Sequence, residues 1–180
     1  MRIVVSGTHA SGKSTLISDF ALEHPEFIVL PDPFELVDEE GDAPSAALFA
    51  SQLRVAADRL VNDPRHEPLI AERGPLDFLA YLMAWAELTG VSLDEGFRER
   101  AIARTAEALG TIDLLVVLPL TASDAIHVGA DEHRELRSAM NDVLMELIDD
   151  SDLTGGRLAV VEITGSPSAR LAALKAHVGR

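Results

Sequence analysis

Short apolar runs alternate along the chain with stretches whose apolar positions recur every three to four residues, a pattern that argues a parallel sheet covered by helices. Arg2–Ser6 reads as a short buried strand entering a glycine-rich turn. A helix follows from Lys13 with Leu16, Ile17 and Phe20 on one face, and His24-Pro25 stops it. Phe27–Leu30 reads as a second strand, ended by Pro31-Asp32-Pro33, and the acidic loop around Asp38, Glu39, Glu40 and Asp42 as a solvated segment. Phe49, Leu53, Ala56 and Leu60 mark a helix closed by Asn62-Asp63-Pro64. Leu69–Ala71 is a third strand, and Gly74-Pro75 then opens a helix with Leu76, Leu79, Ala80 and Met83 inward. Ser92-Leu93-Asp94-Glu95 reads as a capping box that starts a helix ending before Gly110. Ile112–Leu118 is the most apolar strand and is expected to be central or covered on both faces. Residues 121–133 are polar and irregular. Leu136, Met140, Val143, Leu144 and Leu147 mark a long helix, Leu158–Ile163 a fifth strand, and Ser166-Pro167 the start of a final helix. The expectation is one doubly wound α/β domain over residues 1–180, a five-stranded parallel sheet with helices on both faces.

Composition narrows the classes. Apolar residues at 47% and charged residues at 25% exclude wholesale disorder. Without cysteine there can be no disulfide, thiolate metal site or cysteine nucleophile. MRIVVSGTHASGKST has no signal-peptide pattern, and no run approaches the ~18 apolar residues of a membrane helix, so a cytoplasmic location is expected. Fifteen basic against thirty acidic side chains give a net charge of −15, which repels nucleic acid and anionic membranes alike. Lysine occurs only at Lys13 and Lys175 and the arginines are scattered, so no basic patch offsets that field. Composition fixes no oligomeric state and leaves a homodimer open.

One motif decides the class. Gly7-Thr8-His9-Ala10-Ser11-Gly12-Lys13-Ser14 matches G-x-x-x-x-G-K-[ST], and it follows a strand and opens a helix as the mechanism requires. The glycines let backbone N–H groups wrap phosphate oxygens, and the helix N-terminus adds partial positive charge. Lys13 is assigned to the β- and γ-phosphates, the Ser14 hydroxyl to Mg²⁺, and Thr15 to a secondary contact. His9, Ala10 and Ser11 contribute through their backbones, the His9 side chain facing solvent. The motif implies a nucleoside-triphosphate site.

No Asn-Lys-x-Asp run is present to read guanine, which sets GTPases aside. The third strand ends as Leu69-Ile70-Ala71-Glu72-Arg73-Gly74-Pro75-Leu76-Asp77, and this resembles the Asp/Glu-Arg signature of small-molecule P-loop kinases, the nucleoside and thymidylate kinases especially. Taken with GTHASGKST, the run ERGPLDFLAY is similar to the family of AAA-named ATPase/kinase domains that includes the nicotinamide-riboside kinase domain. The resemblance spans about Arg2 to Arg170.

The resemblance implies roles for particular residues. Glu72, at the end of a strand expected beside the first, would hold Mg²⁺ near Ser14. Arg73 would contact the acceptor or the transferring phosphoryl group, or else form a structural ion pair. Asp32 stands where nucleoside kinases carry the carboxylate that takes the acceptor proton, here Asp in place of the commoner Glu; the alternative is a plain Pro-Asp-Pro turn. Asp77, Tyr81 and Trp85 fall at i, i+4 and i+8, with Asp77 matching the family's Asp in the acceptor pocket and the two aromatics fitting plain packing as well. Residues 121–137 occupy the place of the kinase lid, with Arg134 and Arg137 either closing over phosphates or pairing with Glu132 and Glu135. Gly165 would let the backbone pass close to the adenine, and Arg170 would stack on it. The expected activity is an ATP- and Mg²⁺-dependent phosphotransfer to a hydroxyl of a nucleoside or nucleoside-like acceptor. A nucleoside-monophosphate kinase, for which Arg54 and Arg59 are the candidate phosphate ligands, and an acceptor-free ATPase switch are the alternatives.

Overall fold

A computed structural model of the chain describes residues 1–35, 44–62, 67–120 and 134–179. The acidic loop at 38–42, the Asp63-Pro64 helix stop and the lid segment as far as residue 133 lie outside them. Five strands, β1 (Arg2–Ser6), β2 (Ile28–Leu30), β3 (Leu69–Glu72), β4 (Leu114–Val117) and β5 (Ala159–Glu162), form one sheet in the order β2-β3-β1-β4-β5. Every neighbouring pair is parallel. Seven helices are described: α1 (Lys13–Glu23), α2 (Ala46–Val61), α3 (Pro75–Thr89), α4 (Glu95–Leu109), α5 (Arg134–Ile148), α6 (Ser151–Thr154) and α7 (Pro167–Val178). A single 3-10 turn, Pro33–Glu35, follows β2.

Continuous apolar strands are what a sheet covered on both faces requires, because successive side chains point to opposite sides. Ile3, Val5, Leu114 and Val116 face a core closed by α1 and α7. Val4, Leu115 and Val117 face the larger core, closed by α2, α3, α4 and α5. The doubly wound architecture expected from the sequence is therefore present. β1 is the central strand, and the more apolar β4 lies beside it with all four residues buried.

Some boundaries move for local reasons. α4 starts at Glu95, and its cap is Asp94, whose Oδ1 accepts the Phe97 N–H at 2.8 Å. The expected Ser92 capping box is not used, since a carboxylate two residues on offers the stronger charge-assisted acceptor. Ser166 does cap α7, accepting from Ala169 N at 3.3 Å. β2 begins one residue late because Phe27 turns to pack edge-on against Phe20, ring centroids 5.1 Å apart. The short α6 was not foreseen. Among the described residues no helix is long and apolar enough to cross a membrane.

The register places Ser6, Glu72 and Val117 at one edge of the sheet, with Val5 opposite Glu72 and Ser6 opposite Val117. The chain crosses to opposite sides of β1 as it enters β3 and β4. Ligands of open α/β sheets bind at such a carboxyl-end switch point.

Candidate active site

The turn leaving β1 is shaped by backbone demands. Gly7 has φ +150°, and a Cβ there would lie 2.8 Å from both the Leu118 carbonyl oxygen and Ser11 Oγ, so only glycine fits. Gly12, at φ +90°, is the N-cap of α1. Between them Ala10 adopts φ +52°, a left-handed conformation that costs an alanine on the order of 1 kcal/mol.

Asp77 lies beneath this loop rather than in the open crevice. Its side chain is fully buried on α3, and its carboxylate accepts from Ser6 Oγ–H at 2.6 Å, Gly7 N–H at 2.8 Å and Gly74 N–H at 2.9 Å. Burial pushes its carboxyl above the usual range, against the Arg73 charge and these three donors. The position expected to bind an acceptor hydroxyl instead fastens the loop to the start of α3.

Lys13 is 3% exposed, and its Nζ donates to Thr8 O at 2.7 Å. Burial first, and the Arg73 charge second, lower its pKa to about 7. Ser14 Oγ–H donates to Glu72 Oε1 at 2.8 Å, so the two expected metal ligands meet across β1 and β3. A hydroxyl and a carboxylate suit an oxygen-coordinated Mg²⁺ that also takes water and phosphate ligands, the phosphate being held by the loop N–H groups. No group of three or more His, Asp or Glu able to hold a metal occurs among the described residues. Thr15 is exposed on α1 and does not line the crevice.

Arg73 and Asp32 come together. Arg73 Nε is 2.8 Å from Asp32 Oδ2, while Asp32 Oδ1 accepts the Phe34 N–H at 3.1 Å. Arg73 is 4% exposed at φ +60°, with its guanidinium carbon 5.4 Å from the centroids of both Phe34 and Tyr81. Burial opposes its charge, but Tyr81, Asp32 and Asp77 outweigh it and hold the pKa above the usual value. Arg73 Nη1 is buried with no hydrogen-bond partner among the described residues. Tyr81 stacks on Phe49 at 5.2 Å and accepts the His9 N–H at 3.1 Å.

Lys13, Ser14, Asp32, Glu72, Arg73, Tyr81 and Arg137 all line one crevice of about 660 Å³, with the His9–Gly12 backbone as its floor and Phe34, Phe49 and Leu136 among its walls. Arg137 reaches from α5 to the loop, its Nε donating to His9 O at 2.8 Å and its Nη2 to Ala10 O at 3.2 Å. Arg134, one turn earlier, is exposed and stands outside this lining. Trp85 is half-buried against the larger core, also outside it. Gly165 turns from β5 into α7 at φ +98°. Arg170, on α7, is 6% exposed and donates through Nη1 to Ser11 O at 2.6 Å, beneath the loop rather than over a base site.

Sequence reasoning missed what four residues do here. Phe34 and Phe49 line the crevice although Phe49 read as core. Arg59 Nη1 donates to Pro31 O at 2.7 Å and so steadies the segment that carries Asp32. Gln52, three residues after Phe49 on the buried face of α2, is 1% exposed with neither amide atom bonded. A lone polar residue inside an apolar helical stripe was the available signal for it.

No protein-family model matches the chain, and no curated protein matches its sequence. Solved structures do. A deoxyadenosine kinase from M. mycoides with bound dATP is 13% identical and superposes over 100% of both chains with a TM-score of 0.68. A thymidylate kinase from Candida albicans is 17% identical over 99% of this chain and 90% of that one, at 0.64. The NadR protein in complex with NR is 16% identical over 99% of this chain and 52% of its own, also at 0.64. The chain therefore has the α/β fold of the P-loop nucleoside and small-molecule kinases.

Replacing Asp77 by Asn turns one acceptor oxygen into a donor facing an N–H or O–H. The expected loss is roughly 3 kcal/mol of unfolding free energy. Urea denaturation of Asp77→Asn beside wild type measures it, and a loss under about 0.5 kcal/mol would mean the carboxylate does not bear the loop.

Proposed function

We propose that the chain is an ATP- and Mg²⁺-dependent phosphotransferase acting on a hydroxyl of a nucleoside or nucleoside-like small molecule. The observation that carries this reading is the convergence on one crevice of the Lys13 loop, the Ser14–Glu72 pair and the Asp32–Arg73 pair. The kinase fold of the structural neighbours supports it. Ser14 and Glu72 would hold the metal, which when bound neutralises charge on the β- and γ-phosphate oxygens. In the transfer, the acceptor oxygen forms a bond to the γ-phosphorus as the β,γ-bridging P–O bond breaks and ADP leaves. The acceptor proton passes to Asp32, whose oxygens keep lone pairs beyond those facing Phe34 N–H and Arg73. Arg73, through its unpartnered Nη1, orients the acceptor or the moving phosphoryl oxygen.

A neutral acceptor suits the crevice better than a monophosphate. Arg59 is spent on Pro31 O, and Arg54 is exposed outside the lining. The stacked Phe49–Tyr81 wall favours a flat ring, and Gln52, three residues along α2 from Phe49 and outside the lining, keeps an amide with no partner among the described residues that a ligand drawing Phe49 aside would meet.

Three measurements bear on this reading. Asp32→Asn should lower acceptor-dependent turnover about 10²- to 10⁴-fold with MgATP affinity unchanged. ADP release followed with and without a nucleoside panel reads it; turnover near wild type would remove the base and favour the ATPase switch. Lys13 must be protonated to hold phosphate, so above pH 7 the free protein must take up a proton on binding. ATP affinity should then fall up to about tenfold per pH unit above 7, with proton uptake at pH 8.5 by calorimetry in two buffers that Lys13→Met lacks. A pH-independent affinity would show Lys13 charged throughout. Gln52→Leu should stabilise the ligand-free protein by about 1–2 kcal/mol while cutting acceptor kcat/KM, a trade visible by pairing denaturation with the kinase assay.

A further inference from the structure

Three consecutive carbonyls of the phosphate loop are held by guanidinium groups from distant helices. Arg137 on α5 takes His9 O and Ala10 O, and Arg170 on α7 takes Ser11 O at 2.6 Å. The Arg170 contact joins residues 159 positions apart and buries a charge to 6% exposure. Burying a guanidinium is expensive, and this one spends a short bond on a turn carbonyl, a placement that needs a reason.

The reason lies in peptide geometry. In a trans peptide the C=O and the following N–H point in opposite directions, and no peptide bond here is cis. Holding Ser11 O toward α7 therefore turns the Gly12 N–H away from α7, onto the side of the crevice that Ser11 and Gly12 line. The same relation at His9 O and Ala10 O sets the Ala10 and Ser11 N–H groups. None of these three N–H groups donates to another group among the described residues. Gly7 N–H and His9 N–H, by contrast, are taken by Asp77 and Tyr81. The loop thus keeps consecutive amides free while its carbonyls are tied down, in a stretch that includes the left-handed Ala10.

We infer that Arg170 is a positioning residue for the phosphate site: without touching the nucleotide, it fixes the Ser11–Gly12 peptide so that the Gly12 N–H is aimed at a phosphate oxygen before any ligand arrives. This rests on the nucleotide reading above. Pre-orientation raises affinity by removing the cost of ordering the loop on binding, and the guanidinium also adds positive potential below the anion.

Calorimetric titration of MgATP into wild type and Arg170→Gln, with ¹⁵N–¹H spectra of the Gly12 amide, tests it. The expected result is a loss of affinity of about 10- to 100-fold in Arg170→Gln, the range for a lost hydrogen bond from a charged group. With it, the downfield shift of the Gly12 amide proton on adding MgATP should be lost, while the KM for the acceptor stays within about twofold. Affinity within twofold of wild type would overturn the inference. So would weaker binding with the Gly12 shift intact, which would make the effect one of charge or general packing. Should Arg170→Gln fail to fold, Arg170→Lys keeps the charge without the planar fork and is expected to bind several-fold more weakly; parity with wild type would overturn the assignment. If wild type itself binds no MgATP, the nucleotide reading falls and this inference with it, an outcome distinct from tight binding that Arg170 does not affect.

Discussion

The buried carboxylate of Asp77 sets the distance between the two halves of the site. Three donors meet at the carboxyl end of β1, namely the Ser6 hydroxyl and the Gly7 and Gly74 N–H groups, and none has water to turn to. Leaving them unpaired would cost several kcal/mol together, on the order of 1–3 kcal/mol each. One anion satisfies all three. Its own desolvation is offset by the Arg73 charge and by its place in the first turn of α3, where a helix favours negative charge. Because Glu72 and Arg73 immediately precede that turn, the same carboxylate fixes them relative to Lys13 and Ser14. The catalytic geometry proposed above is thus a consequence of how this fold closes its central strand.

Around that fastener the chain accumulates positive charge that its composition would not suggest. In a protein of net charge −15, Lys13, Arg137 and Arg170 converge on one loop, and Arg73 lines the same crevice. Their balance is incomplete. Lys13 is pushed to a pKa of about 7 by its surroundings, and Arg73 retains a buried N–H with no acceptor. Two left-handed residues, Ala10 and Arg73, add strain of order 1–3 kcal/mol each. These unfavourable terms share one remedy, since a bound polyanion would restore the Lys13 charge and satisfy the free loop amides. The cost is accepted where a ligand would repay it.

The parts of this architecture legible in the sequence are those set by local rules. Short continuous apolar runs placed all five strands, and the glycine-lysine-serine turn placed the phosphate loop, because each depends on residues within a few positions. Glu72 was placed beside Ser14 from strand ends alone, and the register bears that adjacency out. The Asp94 cap was missed because Ser92 and Asp94, two residues apart, both suit an N-cap. Asp77 and Arg170 fell in the right neighbourhood, but their bonds to residues 70 and 159 positions away have no local signature. Gln52 passed unread within an apolar stripe, and its lack of a partner among the described residues exists only in three dimensions.

The phosphate half and the acceptor half are built to different standards. Asp77 and Tyr81 from α3, Arg137 from α5 and Arg170 from α7 grip the loop, so a change in any one is resisted by the others. The acceptor half hangs from less. Asp32 follows an edge strand of three residues that pairs only with β3, and its segment is steadied by Arg59 from α2 and by the Phe34 N–H. An edge strand and one helix can shift or change sequence without disturbing the sheet's centre. Such a division leaves Phe34 and Phe49, on the less tightly held side, free to vary while the loop keeps its grip. It follows that this fold, shared with structures only 13–17% identical, holds the loop side of the crevice far more tightly than the Asp32 side.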